Sequence, residues 1–500
     1  MKTPSLRRAG PLALLALLAV PATAFAQDGP DLETVAASID TTWVIVATVL
    51  VMFMQAGFAF LEIGFSRGKN VGHGVAKILT NFSIASIAWW AIGFGLAFGG
   101  AGKIVGLDGF FFSFGEQIGT AQDAADGTFL TAGNVGGSTT AFMIFQFMFC
   151  AVSLAIVWGA TLERMKFSAY VVYAVVFSAV IYPLGAHWIF GGGFLSTIGD
   201  GVQDFAGSTV VHLVGATGAL AAVLLLGPRK GKYGPDGKPR VIPGHNMPLV
   251  GLGVLILWLG WFGFNGGSTL GVGSDRFAEV ILVTQLGAAG GVIAASLLMY
   301  AKTKALDVGM TGNGAIAGLV AITAPSGYVE FWAAPIIGAV GGVVVVYGVL
   351  AIEKKLDDPV GALSAHGLAG IWGTLACGLF TSPRLAEFNG IGADGLIYSG
   401  SFEQLGVQAV GVGAAFLAVF TLSYITFAAI KATIGIRVTE EEEDAGLDIA
   451  AHGMYGYPEQ FIPAAEIGAA STGPAAGFDG VQPAPAPTRN PAAHTEEVTA

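Results

Sequence analysis

The chain has 500 residues, of which 54% are hydrophobic and only 11% are charged. A soluble domain carries about 25% charged residues, so this composition excludes an ordinary soluble protein and indicates a polytopic membrane protein. The formal net charge is −11, and much of it comes from an acidic run at 440–444. No basic segment with interleaved aromatic residues indicates nucleic-acid binding, and no nucleophile motif, phosphate loop or metal-ligand cluster indicates an enzyme. Cys150 and Cys377 both lie in apolar segments, which favours free thiols over a disulfide.

The first 26 residues resemble a secretory signal peptide. An apolar core at 12–20 precedes a small-x-small cleavage motif at 24–26, and the core itself follows three basic residues, Lys2, Arg7 and Arg8. The alternative is a retained first membrane helix, but the apolar core is shorter than the roughly 20 residues that span a bilayer. We therefore expect a mature chain that begins near Gln27, outside the cytoplasm.

Eleven apolar segments further along are long enough to cross a membrane. They lie at about 41–65, 78–99, 139–161, 167–190, 207–227, 247–267, 277–300, 307–324, 332–352, 360–381 and 405–433. The eighth segment is the weakest, because Asp307 and Asn313 interrupt it, but the charge pattern requires it. The predicted fold is an all-α membrane protein with eleven transmembrane helices.

The basic residues between these segments are distributed asymmetrically. On one predicted side, the loops and the end of the last segment hold sixteen: Arg67, Lys69, Lys77, Arg164, Lys166, Arg229, Lys230, Lys232, Lys238, Arg240, Lys302, Lys304, Lys354, Lys355, Lys431 and Arg437. The other side holds three: Lys103, Arg276 and Arg384. Since cytoplasmic loops carry an excess of Lys and Arg, the first side is predicted to be cytoplasmic, and so is the C-terminus.

The predicted organisation has four parts. Residues 1–26 form the cleavable signal peptide, and 27–434 form the eleven-helix membrane domain. Residues 435–462 are mixed polar and form a cytoplasmic tail. Residues 463–500 are rich in Ala, Pro, Gly and Thr, and this composition predicts disorder.

A repeated pattern lies at the fifth and tenth segments. Asp204 precedes His212 by eight residues, and Asp358 precedes His366 by the same eight. Five segments separate the two copies, and an odd number gives the two halves opposite orientations in the membrane. This is the inverted repeat of many transporters, in which the path lies between the halves. A weaker echo joins GFAF at 57–60 in the first segment to GFN at 263–265 in the sixth.

Each of these residues also has an ordinary structural interpretation. A buried histidine can serve helix packing, but ionisable residues inside a membrane usually mark a pathway, and a matched pair favours that function. A haem held by two histidines is the competing possibility. Asp204 can cap a helix and can also attract cations. Phe149 and Phe264 are two of 34 Phe in the chain, and taken alone they are ordinary core aromatics. Ser268, taken alone, is typical of close packing through small residues.

Six stretches taken together closely resemble the ammonium transporter family (Amt/Mep/Rh) over about residues 40–460. They are MQAGFAFLEIGFSRGKN from Met54, LERMKFSA from Leu162, DFAGSTVVH from Asp204, GWFGFNGGS from Gly260, DDPVGALSAHG from Asp357 and GLDIAAHGMYGY from Gly446. The stretches from Asp204 and Gly260 are the most specific. The resemblance implies a bacterial Amt-type transporter of the inner membrane that needs no cofactor.

The resemblance also implies roles for individual residues. His212 and His366 match the twin pore histidines, and Phe149 and Phe264 match the stacked phenyl gate. Phe149, Phe190 and Ser268 match the external cation site, with Asp204 as the acidic residue beneath it. Bacterial members often have Trp where this chain has Phe190, and two extra residues separate this position from Asp204. Because Phe offers a weaker cation–π face than Trp, weaker external binding of ammonium is expected.

The expected function is capture of ammonium, its deprotonation and conduction of ammonia, with net charge movement. The resemblance further implies a homotrimer in the lipid bilayer and docking of a PII-type signalling protein on the cytoplasmic side. Two alternatives remain, an ammonium sensor with little transport and the haem redox protein. Sensors usually carry a fused signalling domain, and 463–500 is too short and too polar to form one.

Overall fold

The computed structural model describes residues 32–100, 102–113 and 138–461. The predicted signal peptide and the predicted disordered segment 463–500 lie outside these ranges. Within them the chain is helical, and its only β-type pairings are two isolated bridges, Met165 with Arg437 and Tyr233 with Pro239. The predicted all-α class is therefore confirmed for the described chain.

Eleven apolar helices, α1 to α11, make up the described membrane domain. They are α1 Leu32–Phe65, α2 Gly68–Phe98, α3 Thr139–Ala160, α4 Phe167–Ser196, α5 Ser208–Leu226, α6 Met247–Gly267, α7 Arg276–Thr303, α8 Val308–Thr323, α9 Ala333–Ile352, α10 Leu363–Phe380 and α11 Glu403–Thr433. All except α8 are long and apolar enough to cross a membrane. The predicted α8 is present with 16 residues. Short helices follow α10 and α11: Pro383–Asn389, Leu396–Ser399, Glu440–Ala445, Leu447–His452 and Pro458–Phe461.

The predicted start of α2 is wrong by ten residues. The sequence places Lys77 in a loop before a segment at 78, but α2 begins at Gly68 and Lys77 lies within it, fully buried. The reason is an ion pair: Lys77 Nζ lies 2.5 Å from Glu62 Oε2 on α1. A paired charge does not have to leave the helix bundle, so a lysine inside the helix does not mark its end.

Glycines let α1 and α6 pack closely along their length. A Cβ atom at Gly57 would lie 2.8 Å from Leu257 Cγ, and one at Gly253 would lie 2.5 Å from the backbone nitrogen of Leu61. A Cβ atom at Gly260 would likewise come too close to the side chain of Met54. Small residues allow such backbone approach between membrane helices. Because α1 and α6 begin the two repeats, this contact joins equivalent elements of the two halves.

The two repeats also share an unusual local structure around each histidine. α5 begins with a π-helical turn at Ser208–Leu213, and α10 begins with one at Leu363–Leu368. Single π-helical turns occur frequently at functional sites, because the wider turn re-aims the side chains it carries. Each turn contains one histidine of the pair, so the predicted inverted repeat extends to the backbone conformation.

Charged residues gather where α1, α3 and α5 end and where α10 begins. Arg229 donates from Nε to Asp357 Oδ2 at 2.9 Å and lies 3.5 Å from Glu163 Oε2, which also pairs with Arg67 at 2.7 Å. We call this end of the molecule, defined by Arg67, Glu163, Arg229 and Asp357, the arginine end. The loops that meet there are all on one predicted side of the membrane, in agreement with the predicted topology.

The tail after α11 packs against the arginine end. Lys69 Nζ donates to the backbone oxygens of Glu443 and Asp444 at 2.8 and 2.6 Å. Asp448 Oδ1 accepts from the backbone N–H of His73 at 2.8 Å. The C-terminal tail therefore lies on the same side of the molecule as the loops rich in Lys and Arg.

Candidate functional site

The two predicted histidines meet in the centre of the bundle. His212 from α5 and His366 from α10 approach with Nδ1 to Nδ1 at 3.2 Å, and their ring planes are only 21° apart. Their exposed fractions are 0% and 6%. One Nδ1 must donate its hydrogen to the other, so in two neutral rings one Nε2 can accept a hydrogen bond and the other can donate one. His212 Nε2 has no protein partner.

Two stacked phenyl rings cover His212 on the side away from the arginine end. Phe149 from α3 and Phe264 from α6 stack with centroids 4.2 Å apart and an interplanar angle of 25°. Both rings are buried. Phe264 in turn lies 5.5 Å from the ring of His212. Rings packed this closely leave no gap between the two phenyl faces.

The structure brings together only some of the residues that were predicted to form the external cation site. Ser268 follows the last residue of α6, and its hydroxyl donates to the backbone oxygen of Phe264 at 2.8 Å, next to the phenyl pair. Phe190 is buried within α4. The ring contacts of Phe149, among the residues that the structure describes, are with Phe145 and Phe264 and not with Phe190. The geometry therefore places Ser268 beside the gate but does not join Phe190 to it.

Asp204 caps the first turn of α5. Its Oδ1 accepts from the backbone N–H groups of Gly207 and Ser208, both at 2.8 Å, and its Oδ2 accepts from Thr209 and Val210 at 2.9 and 3.0 Å. The side chain is buried, so its charge is stabilised by the start of the helix rather than by water. Asp358 accepts similarly from Leu363 at the start of α10.

Three further residues at the site were not singled out from the sequence. Trp261 stacks on His212 at 5.1 Å, and Phe58 lies 6.4 Å from the ring of His366. Glu62 lines a cavity of about 20 Å³ between His366 and the arginine end. Trp261 lies one helical turn before Phe264, and this spacing is the signal that could have identified it. Phe58 and Glu62 are likewise one turn apart on α1.

The haem alternative does not fit this geometry. The histidine nitrogens that face each other are within hydrogen-bonding distance, which leaves no room for an iron and its porphyrin between them. In the part of the chain that the structure describes, no group of three or more His, Cys, Asp or Glu residues is placed to hold a metal ion. The two cysteines are free and buried.

Eleven apolar helices in two inverted repeats, with two buried imidazoles in contact beside a stacked phenyl pair, indicate a polytopic membrane protein of the transporter class. Comparison with known proteins gives the family. The sequence profile of the Ammonium Transporter Family matches residues 42–457, and the chain belongs to this family.

Named relatives agree with this assignment. Ammonium transporter Amt2 of Archaeoglobus fulgidus is 44% identical over 432 residues, which cover 84% of this chain and 88% of that protein. An ammonium transporter of Bacillus subtilis is 34% identical, with 84% and 98% covered. These relatives are transporters rather than enzymes.

Solved structures show the same architecture. A sensor Amt protein superimposes with a TM-score of 0.74 at 37% identity, covering 84% of this chain and all of that one. Mep2 of Candida albicans superimposes with a TM-score of 0.72 at 28% identity, covering 83% and 89%.

Proposed function

We propose that this member of the family captures ammonium beside its phenyl gate, removes a proton and conducts ammonia past His212 and His366. The observation that carries the proposal is the direct contact of two buried imidazoles immediately beneath a closed phenyl pair. Ammonium would be captured near Phe149, Phe190 and Ser268.

The energetics of the path favour a neutral conducted species. An aromatic face stabilises a cation by only about 0.5–2 kcal/mol. Moving a bare ion from water into an apolar medium costs on the order of tens of kcal/mol. The rings of Phe149, Phe264 and Trp261 cannot offset that cost, whereas loss of a proton removes it. A buried apolar path therefore selects a solute that can give up its charge, which ammonium can do and potassium cannot.

The histidine pair gives such a solute hydrogen-bonding partners in an otherwise apolar path. One ring offers an acceptor and the other a donor, and both sets of polar atoms would lie along the route of an ammonia molecule. If the accepting Nε2 takes up a proton, the hydrogen passes between the two Nδ1 atoms and the other Nε2 releases its proton, then the two roles are reversed and both rings are neutral again. The same pair can therefore take part in moving the released proton, which would make transport electrogenic. Asp204 would add a fixed negative charge near the entrance of the path while it caps α5.

We propose the bacterial inner membrane as the location, with the arginine end in the cytoplasm. The excess of basic residues on that side supports this orientation. A cleaved signal peptide would place the mature N-terminus outside and the tail of 435–462 inside. Residues 463–500 would then also lie on the cytoplasmic side.

We also propose a homotrimer whose cytoplasmic loops and tail bind a PII-type signalling protein. The loop 228–246 and the tail lie together at the arginine end, where Lys230 pairs with Asp444 at 2.6 Å on the protein surface. This exposed mixture of charges could take part in protein docking. A pull-down with and without nucleotide effectors tests the partner, and no recovery in either condition would contradict it.

Current in proteoliposomes after a jump in ammonium concentration tests the transport mechanism. We expect His212→Ala and His366→Ala each to lower the current at least tenfold or to let potassium produce a current, because each change replaces a polar partner with open space. His494→Ala, in the C-terminal segment outside the described residues, is the matched control. Wild-type current and selectivity in both pore variants would reject the proposed role of the pair.

The same assay separates transport from a sensor function. The structural likeness to a sensor Amt protein makes this second candidate specific. A sensor that binds ammonium without conducting it would show saturable ammonium binding in detergent and no sustained current in proteoliposomes. A sustained current carried by the wild-type protein would instead favour the transporter.

A further inference from the structure

A small cavity lies beside His366. The cavity has a volume of about 20 Å³ and lies between His366 and the arginine end. Its walls are mostly apolar, and Glu62 is the one charged residue among those that line it. A space of roughly 10–15 Å³ is enough for the centre of a water molecule. The cavity can therefore hold a single molecule the size of water or ammonia.

Glu62 is held in place by Lys77. Its Oε2 lies 2.5 Å from Lys77 Nζ, and both side chains are almost completely buried, with 1% and 0% exposed. Lys77 Nζ also lies 3.3 Å from the backbone oxygen of Trp158 and 5.4 Å from the ring of Tyr170. The lysine thus has several partners, and it supplies the positive charge that a carboxylate needs inside a bundle.

The second oxygen of Glu62 is left without a partner. Oε1 is buried and makes no hydrogen bond within the protein. It lies 3.7 Å from the position that a Cβ atom would take at Gly159, which lines the same cavity. Buried acceptors are nearly always hydrogen-bonded, and a carboxylate oxygen accepts only. A group that fills this cavity beside Glu62 must therefore donate a hydrogen.

We propose that Glu62 Oε1 forms an inner substrate-binding subsite, which accepts an N–H group of ammonia or ammonium that has passed His366. This inference rests on the proposed transport function and extends it. The ligand is a small N–H donor, since the enclosed volume excludes larger amines and hydrated ions. If the pair of Glu62 and Lys77 served only to hold α1 against α2, it would not need a carboxylate oxygen that is left open to the cavity. Because Glu62 and His366 line the same cavity, the open oxygen gives the pair a role in releasing substrate.

Double variants in proteoliposomes test the subsite without leaving one buried charge unpaired. Glu62→Leu/Lys77→Met removes both the acceptor and the charge, whereas Glu62→Gln/Lys77→Met keeps an acceptor oxygen and removes only the charge. We expect the first to lower the maximal ammonium current about tenfold, while the ammonium concentration for half-maximal current changes less than twofold, because external capture is untouched. A current retained by the second variant shows that neutral ammonia is accepted, and an equal loss shows that ammonium is bound.

A third variant blocks the cavity and leaves the ion pair intact. A Cβ atom at Gly159 would lie 2.8 Å from Val360 Cγ2, another part of the cavity wall. We expect Gly159→Ala to lower the current at least fivefold. Gly413→Ala on α11 is the control, because no atom lies within 4 Å of its new Cβ atom. If the double variants do not yield folded protein, as judged by size-exclusion chromatography, Gly159→Ala decides alone.

The outcomes separate this inference from the proposed function. Wild-type protein without an ammonium-dependent current would contradict transport itself. Wild-type protein that conducts, together with unchanged maximal current in Glu62→Leu/Lys77→Met and in Gly159→Ala, would overturn the subsite and leave transport standing. A current that falls in both, with thermal unfolding midpoints close to that of the wild type, supports the subsite.

Discussion

At the scale of single residues, the buried polar groups divide into two kinds. Asp204 and Trp261 have protein partners that fully use their polar atoms: four N–H groups for Asp204, and Thr323 Oγ1 at 2.8 Å for the indole of Trp261. His212 Nε2 and Glu62 Oε1 have none. Groups of the first kind hold the site in shape, and those of the second kind are free to hydrogen-bond with a small ligand.

Asp204→Ala tests the structural part of this division. The change leaves four buried N–H groups at the start of α5 without their acceptor, and each unpaired group costs about 1–3 kcal/mol. We expect a large fall in the thermal unfolding midpoint in detergent, measured by the loss of monodisperse protein after heating. Glu387→Ala is the control, since this carboxylate is exposed on the short helix Pro383–Asn389. Equal midpoints for the two variants would contradict the capping role.

At the scale of helices, the close approach of α1 and α6 is the constraint that bears most directly on the rings around the histidines. A Cβ atom at Gly253 would meet backbone atoms of α1, Leu61 N at 2.5 Å and Gly57 O at 2.7 Å. Backbone cannot move aside as a side-chain end can, so the two helices would have to separate. The same helices carry Phe58, Trp261 and Phe264, so their separation would also disturb the rings around the histidines.

Gly253→Ala is therefore expected to destabilise the protein by about 1–3 kcal/mol, the usual cost of overpacking. Gly251→Ala on the same helix is the matched control, because no atom lies within 4 Å of its Cβ position. Alanine there should be neutral or slightly stabilising, since glycine in a helix costs about 0.5–1 kcal/mol relative to alanine. Thermal unfolding in detergent compares the two variants. A control that melts at or below Gly253→Ala would contradict the packing argument.

Ten of the eleven described helices could be predicted because each segment had only to be apolar and long enough, whereas α8 was predicted from the charge pattern. Most boundaries follow from the same rule, and Met247–Gly267 agrees to the residue. The start of α2 could not be predicted in this way. Lys77 is acceptable inside a membrane helix only because Glu62 faces it, and that contact depends on how α1 and α2 pack. The charge of a residue is visible in the sequence, but its partner is not.

The site could be predicted only in part for a similar reason. The matched spacing of Asp204 and His212 with Asp358 and His366 identified the pair, and the structure places the two rings in contact. The π-helical turns that aim them leave no periodic signal in an apolar segment. The open oxygen of Glu62 depends on a cavity formed by four or more helices, which local sequence does not encode.

At the scale of the whole molecule, the arginine end joins the ends of the helices that carry the path. Arg229 lies between Glu163 and Asp357, and all three side chains are buried. Burial alone would raise the pKa of Asp357, but its hydrogen bonds with Arg229 and the charges of Arg164 and Arg229 lower this pKa to about 2. Burial would also raise the pKa of Glu163. The charges of Arg229 and Arg67 outweigh this effect and hold the pKa of Glu163 below its usual value.

These shifts set the response of the protein to acid. A carboxyl whose pKa is lower in the folded protein stabilises it above the unfolded pKa, which is about 3.9 for Asp and 4.3 for Glu. That stabilisation is lost as the pH falls through the folded value, so for Asp357 the loss occurs between about pH 4 and pH 2. A shift of this size in one carboxyl corresponds to about 2–3 kcal/mol.

Removing Arg229 should therefore destabilise the arginine end and change its acid response together. Arg229→Gln leaves the buried Asp357 without its main partner and leaves Glu163 with Arg67 alone, and breaking a buried ion pair in this way costs about 3–5 kcal/mol. We expect the variant to lose its native tryptophan fluorescence at a higher pH than the wild type in a titration from pH 6 to pH 2. Lys238→Gln is the control, because its pair with Asp236 is exposed, with 82% and 58% of the side chains accessible, and exposed pairs contribute little. An unchanged acid midpoint for Arg229→Gln would show that the four helix ends are held together by apolar packing rather than by this network.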